Sequence, residues 1–285
     1  AGLLHVLPGG REAGEALVTD PRVGMIAFTG STAAGRRVGE LAGRHLKKVS
    51  LELGGKNSLI VLDDADLELA ASNVAWGAWL HQGQICMSAG RILVHERIAA
   101  DLTGRIAAKA NQLPVGNPAT AEVALGPLLN ARQVEHCHGI VQDSVAAGAV
   151  LEAGGSHEDL FYRPTVLSGV TPGMRAFDEE IFGPVASVST FASDDEAVAL
   201  ANDTDYGLAA AVISPSLGRA RALGERLHTG LLHINDQTVN DETVNPFGGR
   251  GSSGNGASVG VPTWWDQFTE WQWLTIRDEP PQYPF

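Results

Sequence analysis

Cysteine is scarce. The 285 residues include only two, Cys86 and Cys137, too few for a disulfide framework or a Cys-rich zinc site. Basic residues are also outnumbered: 20 Lys and Arg stand against 33 Asp and Glu, a formal charge of −13. A protein that grips a phosphate backbone ordinarily carries a basic surplus, so no nucleic-acid partner is expected. An acidic surplus mainly keeps a surface soluble. No apolar run approaches the roughly 20 residues of a membrane span, so no membrane partner is expected either. The opening residues, AGLLHVLPGG, lack the basic region and long apolar stretch of an export signal. The expectation is a soluble, cytoplasmic protein. The nine histidines show neither an i, i+4 pair around a Glu nor Cys partners at ligand spacing, so no metal site is expected.

Apolar residues make up 44% of the chain, enough to bury the core of one large domain or two ordinary ones. Period-two and apolar runs predict strands at residues 3–7, 23–28, 48–53, 57–62, 91–95, 149–154, 165–167, 185–191, 209–214 and 231–235. The run at 23–28, VGMIAF, reads as a buried strand. Helices are predicted over 11–18, 32–46, 67–81, 97–111, 130–147, 193–203 and 216–228. Strands alternating with helices at this spacing imply an α/β fold with mostly parallel sheets. Residues 246–260, PFGGRGSSGNGASVG, are too rich in Gly and Ser for a packed element and read as a loop. After them, residues 268–276 alternate strongly and are aromatic. They predict a strand, either an edge strand of this chain or one that pairs with another subunit.

Some residues suggest chemistry. Cys86 lies in GQICMSAG, where small neighbours permit close approach of a ligand. If it opens a helix, free N–H groups there favour the thiolate and an oxyanion on the substrate. A structural thiol is the other reading, and the only one for Cys137, which sits inside a helix. Glu52 ends a strand in LELGG, where it can act as a general base or stand as an exposed carboxylate. FTGSTAAG puts Gly30 and Gly35 between a strand and a helix, a geometry that cradles phosphate, although the spacing is not GxGxxG. Glu180 in EEIFGPV can hold ribose hydroxyls and Phe182 can face an aromatic ring, or the segment is a loop with an apolar anchor.

FTGSTAAG, LELGGK with Glu52, GQICMSAGR with Cys86, EEIFGPV with Glu180, and PFGG at 246–249 occur in this order. Together they resemble the aldehyde dehydrogenase superfamily, and the 34 residues from Glu52 to Cys86 resemble that family's separation. FYRPTVL, MRAFDEEIFGPV and the tail FTEWQWLTIRDEPPQYPF are similar to its benzaldehyde (aromatic aldehyde) branch. The resemblance implies a partial doubly wound dinucleotide-binding sheet plus an α/β catalytic domain. It implies oxidation of an aldehyde to its carboxylic acid with NAD or NADP. Cys86 would attack the aldehyde, pass through a thiohemiacetal and a thioester, and contribute its N–H to the oxyanion site. Glu52 would activate water. Gly30, Ser31 and Gly35 would lie at the pyrophosphate, Glu180 at the nicotinamide ribose, Phe182 near the ring, and the Leu53 carbonyl at the carboxamide. Trp79, Ile85, Met87 and Phe247 are the candidates for an apolar aldehyde pocket.

The divisions expected are 1–53, the second half of a dinucleotide-binding domain; 54–260, the thiol-bearing catalytic domain; and 261–285, a C-terminal oligomerisation strand that makes a homo-oligomer. The shared pattern starts about two-fifths of the way into the family's usual length. The preceding part would supply an oxyanion-site Asn and a ribose-binding Lys. A truncated product or one piece of a cleaved protein is therefore expected, with weak dinucleotide binding and poor turnover. After PFGG the family often has a Lys and an Arg in its Gly-rich run; here the run reads RGSSGNGASVG. Two other functions fit these residues: an inactive fragment that only folds or assembles, and a thiol esterase that uses Cys86 and Glu52 without a cofactor.

Overall fold

The computed structural model describes residues 2–260 and 263–285. Its first layer holds α1 (Arg11–Thr19), β1 (Met25–Thr29), α2 (Thr32–Arg44) and β2 (Lys48–Glu52). The two strands pair in parallel, with Met25 opposite Lys48 and Thr29 opposite Glu52. The helices bury Val18, Leu41 and Ala42, and Ile26, Val38 and Val49 pack against these. Among the described residues β1 pairs with no other strand, and each of its residues is half-buried or exposed. The expected buried strand at 23–28 is thus an edge strand: a parallel strand is buried only when both faces and both neighbours are supplied. An apolar cavity of about 560 Å³, bounded by Val23, Ile26, Phe28 and Leu41, opens beside it. The strand expected at residues 3–7 does not form. Leu3, Leu4, Val6 and Leu7 are exposed, and extended backbone without a partner has no ladder to join.

The second layer is larger. It runs β3 (Asn57–Val61), α3 (Leu67–Trp79), a tight turn at Leu80–Gly83, β4 (Ala89–His95), α4 (Glu96–Gln112) and α5 (Ala131–Ala146). Then come β5 (Val150–Ala153), a short hairpin of β6 (His157–Glu158) and β7 (Phe161–Tyr162), β8 (Thr165–Ser168), α6 (Arg175–Asp178) and β9 (Val185–Phe191). It closes with α7 (Asp194–Asn202), β10 (Tyr206–Gly207), β11 (Ala209–Ile213), α8 (Leu217–Gly224) and β12 (Leu231–Ile234), followed by β13 (Arg250–Gly251) and α9 (Trp264–Phe268).

Seven strands form one sheet in the order β12-β11-β3-β4-β9-β8-β5. All neighbours are parallel except β5 and β8. Its central strands are buried on both faces, and alternate residues enter different cores. Leu59, Val61, Ile92 and Val94 meet the α3 and α4 side chains Val74, Leu102 and Ile106. Ile60, Leu62 and Leu93 meet Val134, Ile140, Val141 and Leu223 from α5 and α8 on the other face.

Side-chain caps start the helices where the sequence places them. Asp66 accepts from the N–H of Glu68 and Leu69 at 2.9 and 3.0 Å. Ser31 accepts from Ala34 N–H at 3.3 Å and Asn130 from Gln133 N–H at 3.0 Å. Gly148, at φ +111°, ends α5 in the left-handed conformation that glycine adopts without strain.

The Gly-rich segment joins the two layers. It is mostly loop, as expected, but it includes the short strand β13, which pairs with β10, and it extends the ladder of β2. Asn255 presents its side-chain amide like a strand backbone: Oδ1 accepts from Leu51 N–H at 3.0 Å and Nδ2 donates to Val49 O at 2.7 Å. Leu53 N–H donates to Ser253 O at 2.9 Å, and Ser253 Oγ accepts from Gly207 N–H at 3.0 Å.

The tail departs from expectation. Residues 261 and 262, where the expected C-terminal division begins, lie outside the described residues. Trp264–Phe268 is a short helix, and residues 269–285 form no strand. Trp271 and Trp273 are each 93% exposed. Among the described residues no edge of the chain's own sheets receives this segment, so it is not an edge strand of its own chain. Among the described residues no helix is long and apolar enough to cross a membrane.

Candidate active site

Cys86 stands where the two layers meet. After α3 the chain reverses through three successive left-handed residues, His81, Gln82 and Gly83, at φ 49°, 59° and 67°. Two of these are not glycine, a costly conformation that clusters at functional sites. Gly83 has no room for a side chain, since a Cβ there would lie 2.2 Å from Gly183 O. Cys86 then sits in a turn closed by Ser88 N–H on Ile85 O at 2.9 Å, and β4 begins at Ala89. It therefore opens a strand, not a helix as the sequence suggested. The small residues that follow it feed a buried parallel strand.

Asn57, which sequence reasoning passed over, fixes this turn. Its Nδ2 donates to Cys86 O at 2.8 Å and Ser88 O at 2.9 Å, while Oδ1 accepts from Ala209 N–H at 2.9 Å. One buried amide thus ties the cysteine turn to β3 and β11. Gly55 leaves room for the arrangement, because a Cβ there would lie 2.8 Å from Cys86 O.

The thiol is half-buried and free. Burial raises its pKa, and the carboxylates of Glu52 and Glu180 raise it further; the N–H groups of Met87 and of Cys86 itself act in the opposite sense. Two carboxylates and two backbone N–H groups thus act in opposite senses on one thiol. Cys137 differs: it is wholly buried among apolar side chains, and burial pushes its thiol up to about 12.

Glu52 ends β2. Its carbonyl accepts from Gly30 N–H at 3.1 Å, which fixes the backbone. Both carboxylate oxygens are buried without a partner, and burial raises the pKa to about 7. Such an acid takes up and releases a proton near neutral pH, as a general base must. Glu180 lies on the other side. Its Oε1 accepts from Gly55 N–H at 3.0 Å, and a Cβ on Gly54 would fall 2.1 Å from Oε2. Burial raises its pKa, opposed by the Gly55 N–H, Lys56 and His136. Lys56 is a second residue that sequence reasoning missed. Its ammonium is buried without a partner, and burial together with Arg91 lowers its pKa to about 7.

The other candidates divide. Ile85, Met87 and Phe247 pack with Leu208, Ala209, Leu231 and Val239 in one apolar cluster that includes Cys86. Trp79 does not join them. It is 2% exposed and packs with Val74 and Ala78 in the sheet core, a different cluster from that of Cys86. Gly30 and Ser31 stand at the start of α2. Gly35 gives close packing, because a Cβ there would lie 2.4 Å from Leu53 Cδ2. Leu53 is buried. Phe182 is partly exposed and holds φ +51°.

Comparison with known proteins shows the family. The profile of the aldehyde dehydrogenase family matches residues 1–274. A vanillin dehydrogenase of Amycolatopsis sp. is 56% identical over all of this chain, which covers 59% of that protein. A benzaldehyde dehydrogenase [NAD(+)] of Pseudomonas putida is 49% identical over all of this chain, which covers 58% of it. A crystal structure of a salicylaldehyde dehydrogenase from Pseudomonas putida G7, complexed with salicylaldehyde, superposes with a TM-score of 0.91 at 39% identity; the match covers 96% of this chain and 57% of that one. The chain belongs to the aldehyde dehydrogenase family and spans about three-fifths of the length of the curated relatives it matches.

Proposed function

We propose that this chain is the thiol-bearing part of an enzyme that oxidises an aromatic aldehyde to its carboxylic acid with NAD. One observation carries the reading: a free, half-buried thiol whose pKa the carboxylates of Glu52 and Glu180 raise, with both oxygens of Glu52 buried without a partner. The aromatic preference is supported by the names of the relatives and by the apolar cluster of Ile85, Met87 and Phe247 beside the cysteine.

In this mechanism Glu52 takes the proton of the Cys86 thiol, and the sulfur adds to the aldehyde carbon. A C–S bond forms and the carbonyl oxygen becomes an oxyanion, stabilised by the N–H of Cys86. The residues present fit a dinucleotide in part. The start of α2 with Gly30, Ser31 and Gly35 suits pyrophosphate, the crevice at Gly54 admits only the Glu180 carboxylate, and Glu180 suits ribose hydroxyls. Phe182 would lie near the nicotinamide and the Leu53 carbonyl at its carboxamide. When bound, NAD supplies a hydride acceptor. Loss of that hydride would leave a thioester on Cys86; Glu52, having released the thiol proton to solvent, then takes a proton from water, whose oxygen attacks the thioester carbon. The C–S bond breaks and the acid leaves. NADP would meet the same residues. A homo-oligomer formed through residues 269–278, and the divisions 1–53 and 54–260, belong to the same proposal, as does the cytoplasmic setting.

The cofactor-independent half of the cycle gives the test. Incubation with p-nitrophenyl acetate should acylate Cys86, read by intact mass. Glu52→Gln should accumulate the acyl-enzyme, and Cys86→Ser should abolish it. Acylation that survives in Cys86→Ser, or that proceeds equally on Cys137, would overturn the reading.

A further inference from the structure

Four side chains of one face of α5 hold the segment that carries Glu180 and Phe182. Ser144 Oγ accepts from Ala176 N–H at 2.9 Å. Asp143 receives Arg175 at 2.6 Å, and Arg175 in turn holds Glu179 at 2.6 Å. His136 Nε2 bonds Glu180 O at 3.1 Å. Gln133 does the most specific work: its Nε2 donates to both Ile181 O at 2.9 Å and Phe182 O at 3.0 Å.

Those two bonds bracket a strained residue. Phe182 is an aromatic side chain at φ +51°, a conformation that persists only where its surroundings impose it. The strap is also pinned from the other side. Gly183 O lies against Gly83 in the cysteine turn, and Glu180 Oε1 receives the Gly55 N–H. We propose that Gln133 is a positioning residue of the active site: by donating to both carbonyls it holds Phe182 left-handed, and so sets Glu180 against Gly55 and Gly183 against the cysteine turn. The importance of that pose for oxidation rests on the function proposed above; the clamp itself does not.

The Gly55 amide reports the pose directly, since its hydrogen-bond partner is the Glu180 side chain. Hydrogen exchange is measured on the whole 285-residue chain, unmodified and as Gln133→Leu and Gln133→Glu. Both replacements keep the bulk, and neither can donate when the glutamate is ionised. Gly55 N–H should exchange about tenfold faster in both variants, while the Ile140 and Val141 amides of α5 stay unchanged. Cys86 alkylation at pH 8 should also speed up about threefold in both, because a displaced Glu180 no longer raises the thiol pKa beside Glu52. Adding Phe182→Gly, which holds φ +51° without strain, should shrink the effect of Gln133→Leu on Gly55 exchange by at least about half. Unchanged Gly55 exchange, retention by Gln133→Glu, or an equal effect in the Phe182→Gly background would each overturn the clamp. Failure of Cys86 to be acylated by the ester would instead count against the function and leave the clamp standing.

Discussion

Glu52 should make the stability of this chain fall as pH rises, and Glu52→Gln should remove that fall. The carboxyl has an ordinary pKa of 4.5 in the unfolded chain and about 7 in the folded one. The folded state therefore binds the proton more tightly. Below pH 4.5 the group is protonated in both states and costs nothing. As pH rises toward 7, the unfolded chain ionises first and gains stability relative to the fold, and beyond 7 the loss is complete. Ionising the group in place costs at most about 3 kcal/mol. Partial contact of the side chain with water reduces that to about 1.5 kcal/mol. Urea denaturation of both proteins at pH 5 and pH 8 reads the difference. Glu52→Gln should gain about 1 kcal/mol over the parent between the two pH values, after the portion already lost by pH 5. The same stability difference at both pH values, or a parent that gains on Glu52→Gln as pH rises, would refute a buried, unpartnered carboxyl at the end of β2.

The same variant should make Cys86 easier to alkylate: removing one of the two carboxylates that raise the thiol pKa should lower the midpoint of the iodoacetamide pH–rate profile, and a higher midpoint would contradict the site geometry. Asn57→Ala should cost about 3 kcal/mol in urea denaturation, because it strips two carbonyl contacts from the cysteine turn and leaves the buried Ala209 N–H unpaired. Gly35→Ala should destabilise by about 1–3 kcal/mol through overpacking against Leu53, measured the same way. Removal of residues 264–285 should shift the sedimentation coefficient from oligomer to monomer if the exposed Trp271 and Trp273 pair with a second copy; an intact chain that already sediments as a monomer would end that proposal.

Some of this was legible in the sequence because it depends on neighbours in sequence. The strand predicted at 185–191 matches Val185–Phe191 at both ends, since a β-rich run bounded by Pro184 and a Ser-Asp cap needs no outside information. The caps at Ser31, Asp66 and Asn130 act within three residues of themselves. Other features depend on what lies elsewhere. Residues 3–7 and 269–276 carry strand patterns, yet a strand exists only with a partner ladder. Asn255 poses as a backbone amide for β2 across 204 residues of chain, and nothing in GSSGNGAS announces it. Asn57 and Gln133 act across 152 and 48 residues of chain; as single polar letters beside apolar runs they look ordinary. Trp79 packs in a different cluster from Cys86, a separation that depends on the sheet and not on neighbours in sequence.

The two residues on which the proposed chemistry rests come from different layers, and this determines how Glu52 is held. Gly30 N–H fixes its carbonyl from one edge of β2, and the ordered Gly-rich loop holds the neighbouring Leu51 and Leu53 from the other. The backbone is therefore determined while the carboxylate is left alone. The chain does not lack cations to pair with acids: Arg219 holds both Asp63 and Asp194, and lowers the pKa of each. Among the described residues no such ion pair reaches Glu52. A paired carboxylate stays ionised and binds protons weakly, so it would make a poor base near neutral pH. Leaving Glu52 unpaired costs stability above pH 7, and the same burial gives it the proton affinity near neutral pH that the proposed base role requires.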